Sequence, residues 1–181
     1  MRIKAVSLYT NDLDAVVHFY AGEMGFSLLA QSGTAASFKV GYSVLTFSKT
    51  NEMLPPYHFA FLVPQNLFME AYSWAQSKKI VLPFSEENDI ADFTNWNAKA
   101  FYFHDTVKNI LEIITHYDLP HTGNQPFSTQ SLIGICEIGL VVPHVAAACQ
   151  QLEEQYSIPR FHKGPYLDDF AVMGGADGLL I

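Results

Sequence analysis

The sequence predicts an α+β fold assembled from a repeated strand-helix-strand-strand-strand module, and three observations lead to it. An alternating strand followed by a helix-periodic stretch opens the chain at Ile3 and again at Tyr57. Short alternating strands with interspersed glycines and polar turns close each copy. The opening pattern then returns once more at Ile133, after a stretch rich in Pro, Gly and polar residues. Recurrence at this spacing marks module duplication.

The first module, residues 1–50, begins with the strand IKAVSLYT. Asn11 and Asp12 follow it and suit a helix N-cap, because a short side-chain oxygen can accept from the free N–H groups of the first turn. In LDAVVHFYAGEMGF, Leu13, Val16, Val17 and Tyr20 fall on one helical face, and Gly22 or Gly25 can end the helix. SLLAQSG, AASFKVG and YSVLTFSKT then read as three strands. The second module, residues 51–117, repeats the order. YHFAFLVP is its first strand, and LFMEAYSWAQSKK is a helix with Phe68, Ala71, Tyr72 and Ala75 on one face. IVLPFSEEND gives a strand and a polar loop, and IADFTNW packs against the closing hairpin of AKAFYFHD and NILEII. Residues 118–131 form a linker. Residues 132–181 make a partial third module: the strand IGICEIGLVVP, the helix HVAAACQQLEEQY and a hairpin in FAVMGGADGLLI, with one strand missing.

Composition narrows the function classes. With 181 residues, about half of them hydrophobic, the chain can bury one substantial core or two small ones. A net charge of −8 with no basic stripe disfavours nucleic acid, whose binding exchanges counterions for Lys and Arg. The opening residues reach Asn11 and Asp12 before a long apolar run forms, so neither a signal peptide nor a membrane span is expected there. The two cysteines, Cys136 and Cys149, lack metal-binding or redox spacing, which favours buried thiols and a cytoplasmic address.

One position asks for a chemical explanation. NILEII places Glu112 inside an apolar strand, where a lone carboxylate costs several kcal/mol unless a cation or donor answers it. Ile110, Glu112 and Ile114 share one face of their strand, as do His58, Ala60 and Leu62 of theirs. If the two strands are neighbours, the imidazole and the carboxylate converge.

The quoted modules, and above all YTNDLDAVVHFYAGEMGF, HFAFLVP and the hairpin FYFHDTVKNILEII, resemble the glyoxalase, bleomycin-resistance and extradiol-dioxygenase superfamily of the vicinal oxygen chelate fold. The resemblance covers the first 118 residues well and the remainder loosely. It implies paired modules forming a cupped mixed sheet around a divalent metal, with ligands from the first and last strand of each module. Carried over, the first-strand positions are Ala5 and His58 and the last-strand positions are Thr46 and Glu112, so the second module keeps a His and a Glu while the first keeps neither. Ring-cleaving members would require a second His at Ala5, which argues against that chemistry. In the third module CEIGLVVP aligns with YHFAFLVP and sets Glu137 at the place of His58, making Glu137 the next ligand candidate, ahead of His104 and His116. The resemblance also implies a homodimer as one way of completing the site.

Plainer explanations stand beside these. His58 and Glu112 could pair with each other without a metal, and Glu137 could face solvent from an edge strand. Trp96 and Tyr102 read as core or pocket-wall aromatics with a polar tip each. GGADG lacks the Lys-Ser/Thr ending of a phosphate loop and precedes no helix, so it reads as a hairpin turn.

Two functions are therefore expected to compete. One is an enzyme of lyase, isomerase or dioxygenase type acting on a small oxygen-rich molecule, with Zn, Mn, Fe(II) or Ni held by His58, Glu112 and Glu137, and with Tyr102 and Trp96 in the pocket. The other is a metal-free protein of the bleomycin-resistance type that binds a drug or metabolite.

Overall fold

The computed structural model describes residues 1–181. In the first module, β1 (Ala5–Thr10) alternates exposed and buried side chains, as a strand covered on one face must. The carboxylate of Asp12 accepts from the Ala15 N–H at 2.9 Å and starts α1 (Leu13–Val17), which continues as a wider π-helical segment, His18–Glu23. β2 (Ser27–Gln31), β3 (Ala35–Val40) and β4 (Ser43–Lys49) follow, and the four strands form a sheet in the order β1-β4-β3-β2.

The second module contributes β5 (His58–Leu62), α2 (Phe68–Ser77), β6 (Val81–Leu82), β7 (Ile90–Phe93), β8 (Ala98–His104) and β9 (Ile110–His116). β6 and β7 both pair with β8, so they are one edge strand interrupted by the loop 83–89. The remainder supplies β10 (Gly134–Ile138), α3 (Val145–Tyr156), β11 (Met173–Gly175) and β12 (Gly178–Leu180). β10 stops at Ile138, short of the strand through Val141 that the sequence suggests, and Val141 is fully exposed. GGADG forms the turn of the β11–β12 hairpin, with Gly175 opposite Gly178. Where a further strand is missing, an isolated bridge between Arg160 and Met173 takes up part of the β11 edge.

The pairing between modules positions the site. β10 lies antiparallel to β5, giving one eight-stranded sheet that runs β11-β12-β10-β5-β9-β8-β6 with β7 beside β8. The first module does not extend this sheet. Its one backbone bridge to β10 is Ile3–Ile135, and its own sheet instead shares a large core with the second module, including Phe38, Phe47, Phe59, Phe61, Phe101 and Phe103. The junction is close. A Cβ on Gly134 would lie 2.6 Å from the Tyr42 ring, and the Ser43 hydroxyl donates to Ile3 O while accepting from Ile135 N. Tyr20 ties α1's extension to the second module by donating to Asp105 (2.8 Å), whose carboxylate also accepts from the Asn109 side chain and from the backbone of Val107 and Asn109.

Residues 118–131 run between β9 and β10 with a single short turn, Thr129–Ser131, and are pinned onto α2 and the turn before it. Phe127 N donates to Glu70 (2.7 Å), and Asn66 exchanges two hydrogen bonds with Gly123. Cys136 and Cys149 are both buried free thiols. No helix is long and apolar enough to cross a membrane.

Candidate functional site

Strand alternation sorts the eight-stranded sheet into two faces. Phe59, Phe61, Leu111, Ile113, Phe101 and Phe103 point into the large core. The intervening residues point the other way, where Ala60, Leu62, Ala98, Ala100, Ile114 and Cys136 form a small apolar floor. His58, Glu112, Tyr102 and Glu137 stand on that side and line a cavity of about 720 Å³. Its wall comes from Phe93 at the end of β7 and Trp96 just after it, and from Lys163, Pro165 and Phe170 between α3 and β11. Trp96 donates its indole N–H to Gly164 O (2.8 Å), and Lys163 binds Trp96 O and Asp118, so the two wall segments are tied together.

Glu137 reaches this face through a β-bulge. Ile135 lies opposite Phe61, yet Glu137 lies opposite Ala60, so Cys136 is an extra residue in the ladder. A regular strand would set Glu137 on the same face as Ile135, among phenylalanines. The bulge turns it into the cavity instead.

β5 and β10 are then related by an approximate two-fold. Glu137 faces Ala60, while the Gly139 N–H donates to His58 O at 2.8 Å. Each strand has a parallel neighbour on its far side: β5 has β9, with Ala60 opposite Glu112, and β10 has β12, with Glu137 opposite Leu179. Following the second ladder two residues on brings Ile181 to the position that Glu112 holds in the first. The four equivalent positions of the cup are thus His58, Glu112, Glu137 and Ile181, and the apolar fourth also lines the cavity. Ala5 and Thr46, the positions carried over to the first module, lie in the other sheet and take no part.

The three polar members are close together. One ligating atom from each of His58, Glu112 and Glu137 lies within 4.8 Å of the other two. His58 Nδ1 donates to the Ile110 carbonyl (3.1 Å), which leaves the lone pair on Nε2, 3.4 Å from a Glu112 oxygen. Glu112 and Glu137 are each only 2 % exposed, and one oxygen of each has no hydrogen-bond partner. Burial, and then the charge of Glu137, push the Glu112 carboxyl up to about 7, with His58 opposing the rise. Burial pulls His58 down, but the hydrogen bond and charge of Glu112, the charge of Glu137 and the Ile110 carbonyl together outweigh it and the net shift is upward. Burial raises the Tyr102 hydroxyl strongly, with the Glu112 and Glu137 charges adding to it, so this phenol stays protonated.

The donor set of one imidazole and two buried carboxylates fits a borderline or hard divalent cation. His104 lies apart, bound by Nδ1 to Asn109 O in the hairpin. His116 is not the polar strand-end residue its position suggests. It is 2 % exposed, both ring nitrogens lack hydrogen-bond partners, and Nε2 is 3.6 Å from Glu137. The one available signal was its even spacing from Glu112 along β9.

No family model matches the chain. A metallothiol transferase FosB from Staphylococcus haemolyticus is 25 % identical over a region covering 62 % of this chain and 82 % of that protein. A proposed dioxygenase from Bacillus subtilis superposes with a TM-score of 0.71 at 15 % identity, over 99 % of this chain and 62 % of that one. A lactoylglutathione lyase from Agrobacterium tumefaciens gives a TM-score of 0.52 at 21 % identity, over 62 % and 92 % of the two chains. The chain has the fold of the glyoxalase, bleomycin-resistance and dioxygenase superfamily.

Proposed function

We propose that this protein is a divalent-metal-dependent enzyme that acts on a small oxygen-rich molecule, with His58, Glu112 and Glu137 holding the ion. The observation that carries this reading is the convergence of those three side chains at the cavity floor, with a buried Glu112 oxygen left without a hydrogen-bond partner. Two acids at this depth repel each other and pay for lost hydration, and a divalent cation offsets both costs. When bound, such an ion supplies Lewis-acid polarisation of substrate oxygens.

The chain's own residues define the rest. The Ile110 carbonyl fixes the His58 tautomer, so Nε2 is presented as a ligand. Tyr102, held neutral, offers a hydroxyl donor to whatever fills the cavity. Phe93, Trp96 and Phe170 give a planar molecule an apolar wall and exclude water from one side. The similar proteins named above are a transferase, a lyase and a proposed dioxygenase, so their shared element is the cup rather than one reaction.

A metal-free binding role is the second reading, favoured by the same aromatic wall, since a flat cation could answer the two acids by charge and stacking. Elemental analysis of protein purified without chelator, followed by titration with Mn, Zn, Fe(II) and Ni, separates the two. The enzyme reading expects binding that His58→Ala abolishes. Metal-free protein that binds none of the four ions would overturn it.

A further inference from the structure

We infer that His116 is a positioning residue for Glu137, donating from Nε2 to hold that carboxylate turned toward His58 and Glu112. This rests on the proposed metal site and assigns a part of it to a residue that does not line the cavity.

The geometry is specific. His116 follows Glu112 by four residues on β9 and so stands on the same face, one pleat repeat beyond Ile114. Its Nε2 is 3.6 Å from Glu137 Oε1, just beyond hydrogen-bond range, and that oxygen has no hydrogen-bond partner. Both atoms are buried, and a buried imidazole with neither nitrogen bonded is costly unless a polar neighbour such as Glu137 is used. A small rotation of either group closes the bond. Trp96 fixes the ring's plane: its indole stacks on His116 with centroids 6.3 Å apart and planes 17° apart, and its own N–H is anchored to Gly164 O.

Glu137 needs such help more than Glu112 does. It sits on a bulge, where the strand is bent and the ladder is locally broken, so its backbone restrains it less. Ligand carboxylates in metal centres are oriented by outer hydrogen bonds, and losing one lowers metal affinity by roughly 10–100-fold.

The test is a titration of Mn(II) alone, read by the electron paramagnetic resonance of the free ion, into wild type, His116→Gln, Glu137→Gln and the double variant. Circular dichroism establishes that each is folded. His116→Gln should weaken binding about 10–100-fold, and the double variant should be no weaker than Glu137→Gln, because the histidine acts only through that acid. Losses that add in the double variant, or a single variant that binds like wild type, would overturn the assignment. Should His116→Gln not fold, ¹⁵N-histidine spectra of wild type and Glu137→Gln at one pH decide the matter. The His116 ring nitrogens should shift when Glu137 becomes an amide, and unmoved resonances would overturn the pairing. Failure of wild type to bind Mn(II) is a different result: it counts against the carboxylate-rich site itself, and the spectra then decide the His116–Glu137 contact alone.

Discussion

Replacing Glu112 by Gln should make the metal-free protein more stable and the metal-loaded protein less so. A carboxyl ordinarily near 4.5 that is raised to about 7 in the fold binds its proton more tightly folded than unfolded. Stability therefore falls as the pH climbs from about 4.5 to about 7 and then levels off, and the accumulated cost is about 3 kcal/mol. His58 acts in the same direction. Its raised value means that its contribution is fully present below its unfolded pKa and is lost as the pH rises through the folded one. Glutamine keeps the shape of Glu112 and cannot ionise. In chelator at pH 8, Glu112→Gln should exceed wild type by about 2–3 kcal/mol, and at pH 4 the two should nearly coincide. Divalent metal should reverse the order at pH 8, since only wild type offers both carboxylates. Urea unfolding at the two pH values, with and without Mn(II), reads all four quantities. Wild type as stable in chelator at pH 8 as at pH 4, with the Gln variant no better, would refute the picture of a penalised buried acid.

Three further outcomes test other parts of the molecule. Tyr20→Phe removes a donor from the buried Asp105 carboxylate and should cost about 1–3 kcal/mol, read as a Tm lowered by about 3–10 °C in calorimetry. Gly134→Ala drives a methyl into the Tyr42 ring and should destabilise by about 1–3 kcal/mol in urea unfolding, with relief when Tyr42 is shortened to Leu. Trp96→Phe keeps an aromatic over His116 but frees Gly164 O, so amide exchange should rise across residues 161–166 while strand β9 stays protected.

The local pattern carried much of this. Period-two alternation is enough to set His58 and Glu112 on facing sides of two strands, and the structure makes those strands parallel neighbours with Ala60 opposite Glu112. The same alternation could not place Glu137. Read as a regular strand, residues 135 and 137 share a face; only the bulge at Cys136 separates them, and nothing local in GICEI announces an extra residue. A histidine at a strand end usually meets water, whereas here Trp96 stacks on His116 and the side chain is buried. The interrupted edge strand of β6 and β7 was unreadable for a related reason. Both pieces are defined by β8, and pairing partners distant in sequence leave no trace in propensity.

The non-ligating residues Ala5 and Thr46, at positions the resemblance would give to ligands, acquire a physical explanation from the same topology. β5 pairs with β9 on one side and can offer its other edge to only one partner. Here it is taken by β10, which leaves β1 in a separate sheet joined to β10 by one bridge. A histidine at Ala5 or a glutamate at Thr46 would therefore stand in a different sheet from His58, and would add only a solvated charge to a sheet face. The third module, although short of a strand, stands where the constraint acts, and it is there that a second carboxylate, Glu137, sits opposite Ala60. Grafting His onto Ala5 should accordingly leave metal affinity unchanged, while Glu137→Ala should lower it by about two orders of magnitude or more, a direct ligand being worth at least what its outer-shell partner is. Equal losses from the two substitutions, by the same Mn(II) titration, would mean that the first module closes the cup after all.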